Sequence, residues 1–298
     1  MTRNPDHDDM LYDALIMAGC AESDMAHAEF VLHDAVHEGY AMRGDSRPSF
    51  VFPHTPQSWF LWDGMLVPNK VCCNFVAGEG AVRGMRAYGY PHRVEAIGFT
   101  RCEVQPFRPT PGKRLLIVPA HRTRTNKYPE PDYVNRAMKS IRYFLGYRSH
   151  FEQITICWDE PAFVQFARRY VRERNIKVVA TNPHTDKDPL VTMMGRIDNH
   201  DLVVSCGTVG CVSAAMGKPT IFFTEEGVPH TPPRAQAAHF GLYRDIIRHP
   251  LMAEQMTLDE IINACKAPDP RAEQWKRDII GDNFDAEKFV RIIKEYVK

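Results

Sequence analysis

Hydrophobic and polar positions divide the chain into short apolar runs separated by amphipathic stretches. The first forty residues carry a helical spacing. One helix is expected over Asp8–Ala21, with apolar Met10, Leu11, Leu15 and Ile16, and a second over roughly Asp24–Gly39. Ser49–Phe52 reads as a short strand stopped by Pro53, and Val71–Ala77 as another. Gly78-Glu79-Gly80 then leads into a helix, Ala81–Tyr88, and Arg93–Gly98 reads as a third strand. Three prolines and a glycine in Val104–Gly112 mark a linker between two lobes.

Beyond the linker the alternation becomes regular. The spacing predicts strands at Arg114–Val118, Gln153–Trp158, Lys177–Ala180, Asp201–Ser205 and Pro219–Phe223. Helices are predicted between them at Pro131–Leu145, Pro161–Arg174, Pro189–Ile197 and Val209–Met216, with three more near 257–266, 270–281 and 284–297. The strands are continuous apolar runs, as expected of strands covered on both faces. Strand–helix alternation of this kind predicts an α/β fold with parallel, doubly wound sheets. The division reads as an N-terminal lobe over residues 1–107 and a C-terminal lobe over 108–298.

Composition narrows the class. At 298 residues, 44% hydrophobic and 25% charged, the chain has ordinary globular make-up. It contains no apolar run of about 18 residues, so no membrane span is expected, and Met1–Asp6 lacks an apolar signal core. Eight scattered cysteines without zinc-finger spacing read as reduced thiols of a cytoplasmic protein. The formal net charge of zero conceals segregation, because residues 1–50 hold ten acids and three bases whereas 101–150 hold eleven bases and three acids. Such a basic excess suits a diphosphate or a nucleic-acid backbone, or else a solvated helix face.

In an open parallel sheet, ligands bind outside the carboxyl ends of the strands. The loop after the first C-lobe strand, Pro119–Lys127, contains Arg122 and Arg124, whose guanidinium forks match phosphate oxygens. After the third comes Asn182-Pro183-His184, where His184 can contact a phosphate or belong to a helix-capping turn. After the fourth comes Ser205-Cys206-Gly207-Thr208-Val209. Here small residues admit a ligand to the backbone, hydroxyls are at hand, and the next helix points its amides at the same spot. Neither a P-loop nor a Gly-x-Gly-x-x-Gly fingerprint is present.

The run Met193–Phe223, with its acidic helix end at Asp198, apolar strand, Ser213-Ala214-Ala215 and Gly217-Lys218-Pro219, resembles the donor-binding half of the two-lobed (GT-B) nucleotide-sugar glycosyltransferases. Nearest in pattern are the CDP-glycerol glycerophosphotransferases and capsule-type transferases, to which Arg86–Pro91 with Val94–Gly98 and Leu115–Arg122 are also similar. The resemblance covers about residues 71–223. Two departures stand out: Pro183-His184 reverses those enzymes' His-Pro, and Val209–Val212 lacks the acids that the related UDP-sugar 2-epimerases carry there.

The resemblance implies a Rossmann-like pair of lobes with the nucleotide in the interlobe cleft. It also implies a metal-independent transfer from a UDP- or CDP-linked sugar, the co-substrate, to a hydroxyl, with no further cofactor. Leaving-group stabilisation falls to Arg122, Arg124 and the amides at Gly207-Thr208-Val209. The base on the acceptor should come from the first lobe: Glu79, His54 or Asp63, each following a strand or apolar run. Glu79 between two glycines reads as a side chain presented to a cleft, or as an acid favouring a helix N-terminus. Ser205, Cys206 and His184 join the donor site, and Glu225 and Glu226 are candidates for ribose or sugar hydroxyls. For the acceptor, the basic stretch with Tyr128, Tyr133, Tyr143, Phe144 and Tyr147 suits a hydroxymethylated pyrimidine in DNA. A glycan, a polyol phosphate, an epimerase reaction and a non-catalytic nucleotide-binding module are the alternatives.

Overall fold

The computed structural model describes residues 9–20, 29–33, 47–52, 71–87, 90, 92–119, 141–157, 175–179, 189–205, 207–222 and 249–297. They form two compact units. One contains the described residues up to Val104 and those from Gln274 onward; the other contains those from Gln105 to Phe222 and from His249 to Glu273.

The first unit is built on a four-stranded parallel sheet in the order β1-β2-β3-β4, formed by Val31–His33, Ser49–Val51, Val71–Val76 and Val94–Ala96. Helix α1 is Asp9–Met17 and α2 is Glu79–Ala87. The stretch 24–39, expected as a helix, instead contains β1. The apolar run Phe30-Val31-Leu32 supplies β-branched and aromatic residues, and Phe30 sets its ring edge-on to Phe50 at 5.9 Å. Val31 N–H donates to Pro48 O at 2.9 Å, and β1 pairs in parallel with β2.

The second unit carries a five-stranded parallel sheet ordered β7-β6-β5-β8-β9. Its strands are β5 (Arg114–Val118), β6 (Gln153–Cys157), β7 (Ile176–Val179), β8 (Leu202–Ser205) and β9 (Thr220–Phe222). Residues 141–146 are helical. Further helices are α3 (Pro189–Asp198), α4 (Gly207–Ala215), α5 (Leu258–Lys266) and α6 (Pro270–Trp275). On one face, Leu115 and Ile117 pack with Phe144, Ile154, Ile156, Ile221 and Ile261. Leu116 is equally buried on the other, so β5 is covered on both sides. At the sheet's amino edge the buried Asp201 carboxylate accepts from the Lys113 and Arg114 amides at 2.9 and 3.0 Å and from the Arg114 guanidinium at 3.2 Å.

The linker is tied to the second unit. Gln105 and Arg108 amides donate to Ala215 O and Gly217 O at 2.7 and 2.8 Å, and Thr110 N–H donates to Cys265 O at 2.8 Å. Gly217 adopts φ +73° where a Cβ would lie 2.0 Å from Pro106 O. Lys218 Nζ donates to Asp198 O at 2.7 Å and pairs with its carboxylate at 3.3 Å. Gly-Lys-Pro is therefore a joint: an αL turn ending α4, a cation on the last carbonyls of α3, and the start of β9.

The end of the chain departs from the sequence reading, which gave everything past 108 to the C-terminal lobe. A π-helical turn at Lys276–Ile280 and helix α7 (Ala286–Lys294) belong to the first unit. The cause is apolar: Phe289, Ile292 and Ile293 pack with Leu11, Leu15, Phe50 and Phe75, and the Phe75 and Phe289 centroids are 5.0 Å apart. Phe289→Ala should therefore cost the first unit about 3–5 kcal/mol in urea denaturation, the usual loss for a buried ring. A cost below about 1 kcal/mol would show that α7 is not part of that core.

Candidate functional site

In the second sheet, β6 and β7 lie on one side of β5 and β8 and β9 on the other. The chain thus reverses direction beside β5, and its carboxyl end is a topological switch point. Val118 ends β5 opposite Ser205, which ends β8 opposite Phe222. Cys157 follows Ile156, the partner of Ile117, so Cys157, Val118, Ser205 and Phe222 form one row across the carboxyl edge.

Helix α4 begins at Gly207, two residues past Ser205, and its first turn contains no acid. Its leading amides lack intrahelical acceptors and, with the helix dipole, favour an anion. Ser205 is fully buried and its hydroxyl donates to Val118 O at 2.8 Å. Rather than offering that proton to a ligand, it ties the end of β8 to the end of β5. Thr208 and Val209 are half-buried in the first turn. Gly210 is required by contact, since a Cβ there would lie 2.5 Å from Phe222 Cζ.

Behind the row, Phe222 stacks on His249 with centroids 4.5 Å apart and an interplanar angle of 18°. Leu251 N–H donates to His249 Nδ1 at 3.1 Å, and burial pulls this imidazole down to about 4. His249 lay outside the sequence reading, because a histidine before Pro250 carries no periodic signal.

The Gly78-Glu79-Gly80 loop owes its glycines to packing. A Cβ on Gly78 would lie 2.3 Å from Asp278 O, and one on Gly80 2.6 Å from Asp278 Cβ. Gly281, at φ +75°, would place a Cβ 2.6 Å from Ala77 O. These glycines let two backbone segments cross, so they give no reason to read Glu79 as presented to a cleft. Glu79 is the first residue of α2 and is exposed there, an acid in a first turn. Residues 282–285 continue across the end of β4, with Phe99 N–H donating to Asp282 O and Asp285 N–H to Ile97 O, each at 2.8 Å. His54, Asp63, Arg122, Arg124, His184, Cys206, Glu225 and Glu226 lie outside the described residues.

Two solved structures share this architecture. S. aureus TarM, in complex with fondaparinux, α-GlcNAc-glycerol and UDP, superposes with a TM-score of 0.51 at 10% identity over 90% of this chain. The UDP-GlcNAc 2-epimerase of Methanocaldococcus jannaschii, in complex with UDP-GlcNAc and UDP, gives a TM-score of 0.52 at 12% identity, covering 96% of this chain and 80% of its own. The fold is GT-B, with two Rossmann-like lobes. This chain spans 55% of the TarM chain. No family model and no curated protein sequence matches it. Among the described residues no helix is long and apolar enough to cross a membrane, and no cluster of three or more His, Cys, Asp or Glu could hold a metal ion.

The buried imidazole makes stability depend on pH with a definite sign. Between its folded value of about 4 and the ordinary 6.5, the unfolded chain binds more protons. Stability should therefore fall as pH drops through that window by up to about 3 kcal/mol, with no further loss from this group below it. His200, held low by burial as well, acts in the same direction. His249→Asn keeps an acceptor for Leu251 N–H but cannot titrate. Urea unfolding at pH 7 and 4.5 should show a shallower pH loss in the variant, and parallel losses would count against the assignment.

Proposed function

We propose that this protein binds a nucleoside-diphosphate sugar at the β5/β8 switch point and transfers the sugar to a hydroxyl acceptor. The observation that carries the reading is the first turn of α4, free of acids, placed directly behind the Ser205–Val118 tie in a GT-B fold. The diphosphate would lie on the Gly207, Thr208 and Val209 amides, which hold its charge as the glycosidic bond breaks. Arg122 and Arg124, which follow β5 in the chain, would share that charge; Cys206 and His184 would line the same site, and Glu225 and Glu226 would take ribose or sugar hydroxyls. The base on the acceptor comes from the first unit, with Glu79, His54 and Asp63 as candidates. TarM and the epimerase are solved with UDP, which favours a uridine nucleotide over CDP.

Epimerisation is a second reading, favoured by the likeness to the M. jannaschii enzyme. The absence of an acid from the first turn of α4 weighs against it. Incubation with UDP-GlcNAc separates the two. Release of UDP with mass gain on glycerol, a polyol phosphate, a glycan or a duplex bearing 5-hydroxymethylpyrimidines marks transfer and identifies the acceptor. A new UDP-sugar isomer in the proton spectrum, without UDP release, marks epimerisation.

Nucleotide binding itself is tested by thermal unfolding. UDP at a hundred times its Kd should stabilise the protein by about 2.7 kcal/mol. Thr208→Ile removes a hydroxyl and adds bulk at the first turn, and should weaken UDP binding about tenfold, the loss of one charge-assisted hydrogen bond. Because Thr208 is half-buried at a helix end, the unliganded midpoint should hardly move. No stabilisation by UDP, CDP or their sugars would sink the donor site, leaving the non-catalytic reading without a nucleotide as well.

A further inference from the structure

Resting on the donor-site reading above, we propose that Phe222, stacked on His249, is a positioning residue of that site. The tip of its ring sets where the first turn of α4, with its leading amides, stands at the carboxyl row of the second sheet.

The ring is held from several directions. Phe222 is 2% exposed, its N–H donates to Leu251 O at 2.9 Å, and a parallel bridge joins it to Met252. Its face lies on the His249 imidazole, with centroids 4.5 Å apart and planes at 18°. Its rim points at α4: a Cβ on Gly210 would lie 2.5, 2.8 and 3.1 Å from Cζ, Cε1 and Cε2. A long flexible side chain would swing away from such a methyl. A buried, stacked ring on a paired backbone has nowhere to go.

The contact reaches the amides through the helix. Helix α4 packs on β8 and β9 and meets β9 at two levels. Where β9 starts, Ser213 Oγ lies 2.8 Å from Thr220 Oγ1; where it ends, Gly210 rests on Phe222. The hydroxyl pair holds the rear of the helix, so the contact at Gly210 decides how the turn ahead of it lies. Gly207, Thr208 and Val209 are within one turn of Gly210, about 5 Å along the axis. A methyl at position 210 would lift that turn from the strand ends. Hydrogen bonds to an anion are short, about 2.7–2.9 Å, and tolerate little displacement of their donors. Helix preference points the other way, since alanine is the better helix former. The competing explanation is packing alone, in which case changes here cost stability and leave phosphate affinity as it was.

Calorimetry with UDP, uridine and inorganic pyrophosphate decides between them. Gly210→Ala should weaken UDP and pyrophosphate about tenfold, the loss of one charge-assisted hydrogen bond, and leave uridine unchanged. Phe222→Leu empties the space at the rim and should weaken both phosphate ligands several-fold by itself; it carries the test if Gly210→Ala does not fold. Combining the two gives the methyl room and should recover most of the lost phosphate affinity, a coupling that independent sites would not show. Unchanged pyrophosphate affinity in a folded single variant, equal losses for UDP and uridine, or no recovery in the double variant overturns the proposal while leaving the donor site standing. Failure of the unmodified protein to bind either UDP or pyrophosphate overturns the donor site and this residue with it.

Discussion

The second unit is organised around β5, the strand paired on both sides. With β6 along one edge and β8 along the other, its backbone groups have neighbours in both directions, and Leu115, Leu116 and Ile117 are wholly buried. Asp201 anchors the amino end by accepting both amides that lead into the strand. Ser205 anchors the carboxyl end through Val118 O. Each anchor residue comes from the β8 segment, so the two central strands are pinned together at both ends. The start of α4 inherits that rigidity, because only Cys206 separates it from Ser205. In the donor site proposed above, those amides would meet developing negative charge without having to reorganise.

The first sheet is finished differently. Its described strands step in one direction without a reversal, and the ends of β3 and β4 are crossed by residues 278–285. Close backbone passage there accounts for Gly78, Gly80, Gly98 and Gly281 together, since a Cβ on any of them would meet backbone or side-chain atoms at 2.2–2.6 Å. The glycines and the C-terminal segment form one structural unit although some 200 positions separate them.

This explains which parts of the molecule were legible in the sequence. The strands of the second unit announced themselves because burial on both faces produces unbroken apolar runs; β5 was located to the residue at Arg114–Val118. The first turn of α4 was legible because small residues between a strand and a helix leave few other interpretations. β1 was not, because three residues give no period and the preceding Ala-rich stretch carries helical spacing. The return of α7 to the first sheet was invisible for a different reason: an amphipathic helix states which face is buried but not against what. The glycines flanking Glu79 were ambiguous in the same way, since a glycine pair signals close approach without naming what approaches.

The residues that carried the family resemblance turn out to be mostly architectural. Gly217 ends α4, Lys218 holds the end of α3, and Ser213 Oγ lies 2.8 Å from Thr220 Oγ1 in a fully buried contact. Such a motif fixes how α3, α4, β8 and β9 meet, and so where the first turn of α4 and the side chains of α3 come to lie. It does not specify which chemistry fills the place it prepares. Lys218 illustrates the connection: by holding both the carbonyl and the carboxylate of Asp198, it fixes the end of α3 where the chain turns into β8.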